Sequence, residues 1–199
     1  MAFAKTLQEL RRSAAALRAD ASHALIDSML RRLPLTPARA AYLAMVPEVR
    51  VVAAYRFYSA LHRAGHVRLA QLAYLRAKRR YGCDLHPAAE IGPGLRIAHA
   101  QDIVVGPEVR VGSEVMIFNG VTLGNKLGRT AWLGMPRVGD AAVLGTGAKI
   151  LGAVEVGARS RVGANAVVLT DVPPDATAVG APARVVPAPG APVASRSKS

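Results

Sequence analysis

The chain has 199 residues, 51% of them hydrophobic, and 26 Lys and Arg against 13 Asp and Glu, which gives a formal net charge of +13. A single cysteine, Cys83, excludes an intramolecular disulfide framework and is typical of a reducing compartment. The sequence contains no run of about eighteen apolar residues, so no membrane span is predicted. It has no continuous apolar stretch shortly after Met1, so no signal peptide is predicted. We therefore expect a cytoplasmic protein.

The positive charge is concentrated at the front of the chain. Residues 1–80 contain 15 Lys and Arg against 4 Asp and Glu, whereas residues 81–199 contain 11 against 9. Such a basic segment is either a set of solvated helix faces or a surface that attracts anionic partners, including the inner face of the membrane. Both alternatives stay open. No zinc ligands, RNA-binding aromatic motif or helix-turn-helix spacing indicates nucleic-acid binding.

Residues 1–80 are predicted to form a basic α-helical region. Apolar residues at helical spacing predict a first helix over residues 5–32, which the proline-containing residues 33–37 end. Thr36 followed by Pro37 is typical of a helix start. Further helices are expected over about 37–46, 47–64 and 67–80, with Gly65 at the end of the second of these.

From residue 85 to residue 173, one aliphatic residue recurs every six positions. The following residue is Gly in eight of the thirteen hexads, and the fifth position is usually small or β-branched. A six-residue period fits neither a helix nor an isolated strand, and it predicts a hexapeptide β-helix with three hexads in each coil of about eighteen residues. The aliphatic positions are Leu85, Ile91, Ile97, Val105, Val111, Ile117, Leu123, Val138, Leu144, Ile150, Val156, Val162 and Val168.

Two interruptions break the period. The first adds two residues between Ile97 and Val105, and the second is the thirteen-residue segment 125–137. Long insertions in a repeat array are often functional loops on one face. We predict a β-helix domain over residues 81–186, and a disordered tail over residues 187–199, which are rich in Pro, Ala, Gly and Ser.

Several ordered blocks of the repeat region are specific beyond the hexad period. They are Asp84-Leu85-His86-Pro87-Ala88-Ala89, Ile97-Ala98-His99-Ala100, Gly120-Val121-Thr122-Leu123-Gly124, Gly147-Ala148-Lys149-Ile150-Leu151-Gly152 and Gly180-Ala181-Pro182-Ala183-Arg184. With these blocks, residues 50–186 resemble the serine acetyltransferase family. The resemblance implies a mainly β fold, a left-handed parallel β-helix after the helical region. It also implies a homotrimer, acetyl transfer from acetyl-CoA to a hydroxyl group, and active sites between subunits.

His99 is the candidate general base. A hydroxyl group needs a base near neutral pH to attack a thioester, and His99 lies in the irregular hexad, off the core position. A carboxylate on the second imidazole nitrogen would fix its tautomer. The resemblance assigns this role to Asp84, fifteen residues earlier, with Asp102 as a weaker rival. The alternative is that His99 is a solvated loop residue.

Binding of CoA requires a slot for the pantetheine arm and cations for the phosphates. The resemblance places this slot at Gly124, Thr146, Arg161 and Ala164. Arg161 suits a phosphate, and the backbone N–H near Gly124 is a candidate oxyanion donor. For the small residues, ordinary turn chemistry is an equal alternative.

A metal site is not expected. The repeat region contains His86 and His99 but lacks the three histidines that a hexapeptide-fold zinc enzyme requires. We therefore interpret His86 as a structural residue or a residue behind the active site.

The chain departs from the family where a zwitterionic amino acid would be held. Ala98 replaces an Asp, Gly134-Met135-Pro136 replaces Arg-His-Pro, and Leu33 replaces an Asp before Pro34. The final residues, 198–199, also differ from the aliphatic end with which the family docks the next enzyme of cysteine synthesis. Because unpaired ionic groups are costly in a closed site, free serine is expected to bind poorly.

Three functions follow from these departures. The first is O-acetylation of a saccharide hydroxyl in exopolysaccharide biosynthesis, as in the similar colanic-acid-type acetyltransferases, with Trp132 and Leu133 stacking on a sugar. The second is serine O-acetylation in a pocket that Arg129 or Arg137 has rebuilt. The third is a non-catalytic trimeric assembly protein.

Overall fold

The computed structural model describes residues 2–24, 36–126 and 134–186. Within these ranges, four helices precede fifteen short strands. The elements are α1 (Ala2–Ala24), α2 (Pro37–Leu43), α3 (Pro47–Arg63), α4 (Val67–Tyr81), β1 (Asp84–Leu85), β2 (Glu90–Ile91), β3 (Arg96–Ala98), β4 (Val104–Val105), β5 (Arg110–Val111), β6 (Met116–Phe118), β7 (Thr122–Gly124), β8 (Arg137–Val138), β9 (Val143–Leu144), β10 (Lys149–Leu151), β11 (Glu155–Val156), β12 (Arg161–Val162), β13 (Val167–Val168), β14 (Thr177–Val179) and β15 (Arg184–Val186).

The strands form the three walls of a parallel β-helix. Sheet I has the order β1-β4-β7-β10-β13, sheet II has the order β2-β5-β8-β11, and sheet III runs from β3 through β6, β9, β12 and β14 to β15. All pairs are parallel except β14 with β15. As far as β13, each strand pairs with the strand three places along the chain, so three strands make one coil, while β14 pairs with β12 and β15. The predicted parallel β-helix after a helical region is therefore confirmed.

The core of the β-helix consists of the predicted aliphatic column. All thirteen hexad positions are buried, from fully buried Leu123 to Ile91, which is 8% exposed. The small or β-branched fifth positions, such as Val109 and Ala142, are also buried. No coil encloses these side chains alone, so the core depends on the stacking of neighbouring coils.

The hexad glycines are required by close approach between coils. At the corner between sheets II and III, a Cβ on Gly139 would lie 2.5 Å from the backbone nitrogen of Ala158. A Cβ on Gly157 would lie 2.4 Å from the nitrogen of Pro174. Neither glycine has a positive φ, so the constraint is space rather than backbone conformation.

The helices begin and end close to the predicted positions. The Thr36 hydroxyl accepts a hydrogen bond from the backbone N–H of Arg39 at 3.3 Å, as expected of a capping residue. Pro47 starts α3 instead of kinking a longer helix, and Gly65, with a φ of 96°, follows the cap residue Ala64. The predicted first helix is observed as far as Ala24, while residues 25–35 and the predicted tail, 187–199, lie outside the described residues.

A buried ion pair joins the helices to the first coil. Arg56 of α3 donates two hydrogen bonds to the carboxylate of Asp20 in α1, at 2.8 and 2.9 Å. The same guanidinium donates to the carbonyls of Ile91 and Gly92, and Asp20 accepts the backbone N–H of Leu95 at 2.8 Å. The two side chains are only 7% and 2% exposed. The pair therefore fixes α1 and α3 against the segment that leads into β3.

We predict that Asp20→Asn lowers the free energy of unfolding by about 3–5 kcal/mol, because it leaves the buried Arg56 guanidinium without a counter-charge. Urea unfolding followed by circular dichroism measures the change. The control is Asp175→Asn, which breaks the exposed pair with Arg159 and should change stability little. Equal effects of the two substitutions would contradict the structural role of the buried pair.

Candidate active site

The first interruption of the hexads forms a bulge at the corner between β3 and β4. The first coil takes 20 residues, from Asp84 to its partner Val104, and the second takes 18, from Val104 to Thr122. In the bulge, His99 has a left-handed φ of 61°, and its carbonyl accepts the backbone N–H of Gln101 at 2.8 Å. Histidine tolerates this conformation better than most residues. The bulge leaves His99 exposed at the corner of the coil.

A column of equivalent corner residues begins beside the bulge. The backbone N–H of Gly120 donates to Gln101, that of Gly147 to Asn119, and that of Asn165 to Thr146, at 2.8–2.9 Å. These repeated bonds stack Gln101, Asn119, Thr146 and Ala164 in successive coils. We call these four residues the corner column. Two of the predicted CoA-slot residues, Thr146 and Ala164, therefore lie on the corner that carries His99.

A cavity of about 410 Å³ lies at the start of this column. The residues that line it are Pro47, Glu48, His99, Ala100, Gln101 and Asn119. The Thr146 hydroxyl donates to Oδ1 of Asn119 at 3.2 Å, which joins the next coil to the cavity wall. Sequence reasoning missed Glu48 and Asn119. The sequence places Glu48 in the first turn of a predicted helix. The repeat pattern does not predict that the start of this helix packs against the first coil.

Asp84 is held by α4. Its carboxylate accepts hydrogen bonds from the Tyr74 hydroxyl and the Lys78 ammonium group. The hydrogen bond to Asp84 raises the pKa of Lys78, while burial and then Asp84 raise the pKa of Tyr74. Among the described residues, no hydrogen bond joins Asp84 to His99. The expected dyad thus stays a prediction, and two contacts of Asp84 are new.

Asp102, the rival carboxylate, and His86, the second histidine, both form hydrogen bonds that involve the backbone. Asp102 is exposed, has a φ of 53° and donates its backbone N–H to the carbonyl of Gly82 at 3.0 Å. His86 accepts the backbone N–H of Ala88 on Nδ1 at 3.1 Å, and burial lowers the pKa of its imidazole. In residues 2–24, 36–126 and 134–186, no group of three or more His, Cys, Asp or Glu side chains could hold a metal ion.

The other two predicted CoA-slot residues lie away from the corner column. Gly124 ends β7, on the far side of sheet I, and its carbonyl accepts the backbone N–H of Gly152 at 2.9 Å. Arg161 is exposed at the start of β12, between Val143 and Thr177. The four residues therefore do not form one group within a single chain.

The described substitutions in the expected serine pocket carry no charge. Ala98 pairs with Phe118 between β3 and β6, and Met135 is half-buried against the core of the β-helix. Arg137 is exposed on β8, between Arg110 and Glu155. The other residues of these predictions lie outside the described ranges, namely Leu33, Pro34, Arg129, Trp132, Leu133 and the terminal residues 198–199.

A larger groove does not coincide with the predicted site. It measures about 1030 Å³ and runs along sheet II from Arg12 of α1 to Pro174. None of the predicted catalytic or CoA-slot residues lines it. Of the predicted site residues, His99 lines the smaller cavity instead.

Across the part of the chain that the structure describes, no helix has the length and apolar character needed to span a membrane.

The chain has clear relatives, although no protein-family model matches it. It is 38% identical over 167 residues to a serine acetyltransferase of Helicobacter pylori strain J99, which covers 84% of this chain and 96% of the relative. A truncated serine acetyltransferase apoenzyme superposes with a TM-score of 0.80 at 32% identity, covering 93% and 75% of the two chains. A serine acetyltransferase in complex with CoA superposes with a TM-score of 0.79 at 31% identity, covering 93% and 74%.

These relatives confirm the resemblance to the serine acetyltransferase family but not the predicted subgroup. They are named as serine acetyltransferases, so the expected closeness to colanic-acid-type exopolysaccharide acetyltransferases gains no support. The agreement extends over nearly the whole Helicobacter relative and over both the helical region and the β-helix. The chain belongs to the serine acetyltransferase family of acyltransferases.

Proposed function

We propose that the protein transfers the acetyl group of acetyl-CoA to the side-chain hydroxyl of L-serine. The observation that carries the proposal is the 38% identity over 96% of a Helicobacter pylori serine acetyltransferase. This replaces the saccharide acceptor expected from the sequence, because neither the relatives reported above nor the described pocket residues favour a sugar. The non-catalytic alternative gains no support either.

The proposed chemistry rests on His99. The imidazole takes the proton from the serine hydroxyl as the oxygen attacks the thioester carbonyl. The C–S bond then breaks, the acetyl group stays on the serine oxygen, and the CoA thiolate takes up the proton from the imidazolium. The exposed position of His99 in the bulge, on the wall of a cavity of about 410 Å³, supports this role.

Asp84 is proposed to orient the imidazole of His99. A carboxylate accepts about four hydrogen bonds, and Tyr74 and Lys78 occupy two of these positions. The remaining positions are available for an imidazole N–H. An aspartate in this position would also stabilise the imidazolium that forms when His99 takes up the proton.

Acetyl-CoA is proposed to bind along the corner column. The small side chains of Thr146 and Ala164 allow close approach of an extended pantetheine arm. Arg161 would bind a phosphate and Gly124 would contribute an oxyanion donor. Because Gly124 lies on the far side of sheet I from the corner column, we propose that two copies of the chain contribute to each site, in a homotrimer.

We predict that His99→Ala reduces acetyl transfer on the order of 100- to 10,000-fold, because the general base is lost. Because His99 is exposed, the fold should be kept, and the unfolding midpoint should fall only slightly, since alanine tolerates the left-handed φ of 61° less well than histidine. Asp84→Asn should cost less, since the base remains. Release of CoA thiol from acetyl-CoA measures the rates, and a His99→Ala enzyme within threefold of the wild type would exclude His99 as the base.

The acceptor is tested by offering L-serine and a panel of sugars to the wild-type enzyme under the same conditions. We predict that serine gives the higher kcat/KM by at least about 100-fold, because a site built for polar contacts with one substrate rejects compounds that lack them. The control is acetyl-CoA without an acceptor, which measures hydrolysis. If the enzyme acetylated a sugar and not serine, this result would contradict the proposal and support the saccharide hypothesis.

A further inference from the structure

An amino-acid substrate requires opposite charges in its site. L-Serine carries an ammonium and a carboxylate group, and closing a site around unpaired ions is costly. Yet Ala98 and Met135, at two of the positions where the family places charged groups, are apolar and half-buried. A serine acetyltransferase with this pocket needs a counter-charge from another part of the chain.

Glu48 is the carboxylate that lines the His99 cavity. It lies in the first turn of α3 and is half-buried. Within the described ranges, its side chain has neither a hydrogen bond nor an ion-pair partner. The carboxylate of Glu48 is close enough to the coil to affect Cys83. Burial raises the pKa of the Cys83 thiol, and the carboxylates of Asp102 and Glu48 also raise it. An unpartnered carboxylate at a cavity wall is suited to bind a cation.

The middle of α3 is hydrogen-bonded to the first coil. The Tyr55 hydroxyl donates to the carbonyl of Ala89 at 2.7 Å, and the Arg56 guanidinium donates to the carbonyls of Ile91 and Gly92. Pro47 fixes the first backbone dihedral angle of the helix. The backbone that carries Glu48 therefore has a fixed place beside the first coil, which a group that selects a substrate requires.

We propose that Glu48 binds the ammonium group of the acceptor and is the residue that makes the site specific for an α-amino acid. This inference rests on the proposed function. Asn119 is proposed to bind the substrate carboxylate. Its Oδ1 accepts a hydrogen bond from the Thr146 hydroxyl, which leaves the amide nitrogen to donate to that carboxylate. Glu48 thereby replaces the negative charge that is missing at Ala98.

An acidic residue in a first helical turn also stabilises the helix dipole, which is the competing explanation for Glu48. The two roles differ in their consequences. A purely structural Glu48 would affect stability and leave the selectivity between acceptors unchanged. A Glu48 that orients His99 would lower kcat for every acceptor alike.

The test compares Glu48→Gln with the wild type in steady-state kinetics with L-serine. We expect kcat/KM for serine to fall about 10- to 150-fold, mainly through KM, because one charge-assisted contact is lost. KM for acetyl-CoA should be unchanged. Glu48→Asp keeps the charge and should recover part of the loss. The control is Glu155→Gln, which removes an exposed carboxylate on sheet II and should leave both KM values unchanged.

A second measurement uses 3-hydroxypropanoate, which has the hydroxyl and carboxylate of serine but no ammonium group. Its inhibition constant against serine should stay equal or decrease in Glu48→Gln, since a repulsive charge is removed. Unchanged serine KM in Glu48→Gln overturns the inference and leaves the proposed function intact, as does a loss confined to kcat. A wild-type enzyme that is inactive with serine overturns both.

Discussion

The structure depends on the stacking of coils at a fixed register. Each buried aliphatic side chain lies on its equivalent in the coils before and after it, and no coil has a core of its own. The first coil therefore needs a cover, and α3 and α4 provide it with buried Tyr55, Tyr58 and Tyr74. Tyr55 and Tyr58 donate to the carbonyls of Ala89 and Leu85, so the apolar cover also satisfies backbone groups at the open end of the β-helix.

The proposed site lies where this regular stacking is broken, next to α3 and α4. A regular hexad would turn this corner without a bulge. The two extra residues of the first coil form the bulge and expose His99 beside the start of α3. The corner column then continues through Thr146 and Ala164, where the same backbone hydrogen bond repeats from coil to coil and the side chains are small. The helices thus complete the core and also bring Glu48 to the cavity beside His99, the proposed base, and the Asp20–Arg56 pair fixes the position of α3.

Much of this arrangement follows from sequence periodicity, because the coil is a local structure. The thirteen aliphatic positions, the hexad glycines, the cap at Thr36 and the end of α3 at Gly65 were all predictable. How the helices sit on the coil was not, since no periodic signal links Asp20 to Leu95 or Tyr74 to Asp84. The saccharide acceptor expected from the sequence gained no support from the relatives. The charge lost at Ala98 was visible in the motif, while Glu48, fifty residues earlier, belongs to no motif and is brought to the cavity wall only by the fold.

A crystal structure of the protein with CoA tests the central claim most directly, namely that the bulge and the corner column form the acyl-transfer site. We predict three copies around a three-fold axis with CoA between two of them, the pantetheine arm along Thr146 and Ala164, and the thiol next to His99. CoA bound within one chain, for example in the groove along sheet II between Arg12 and Pro174, would contradict the account.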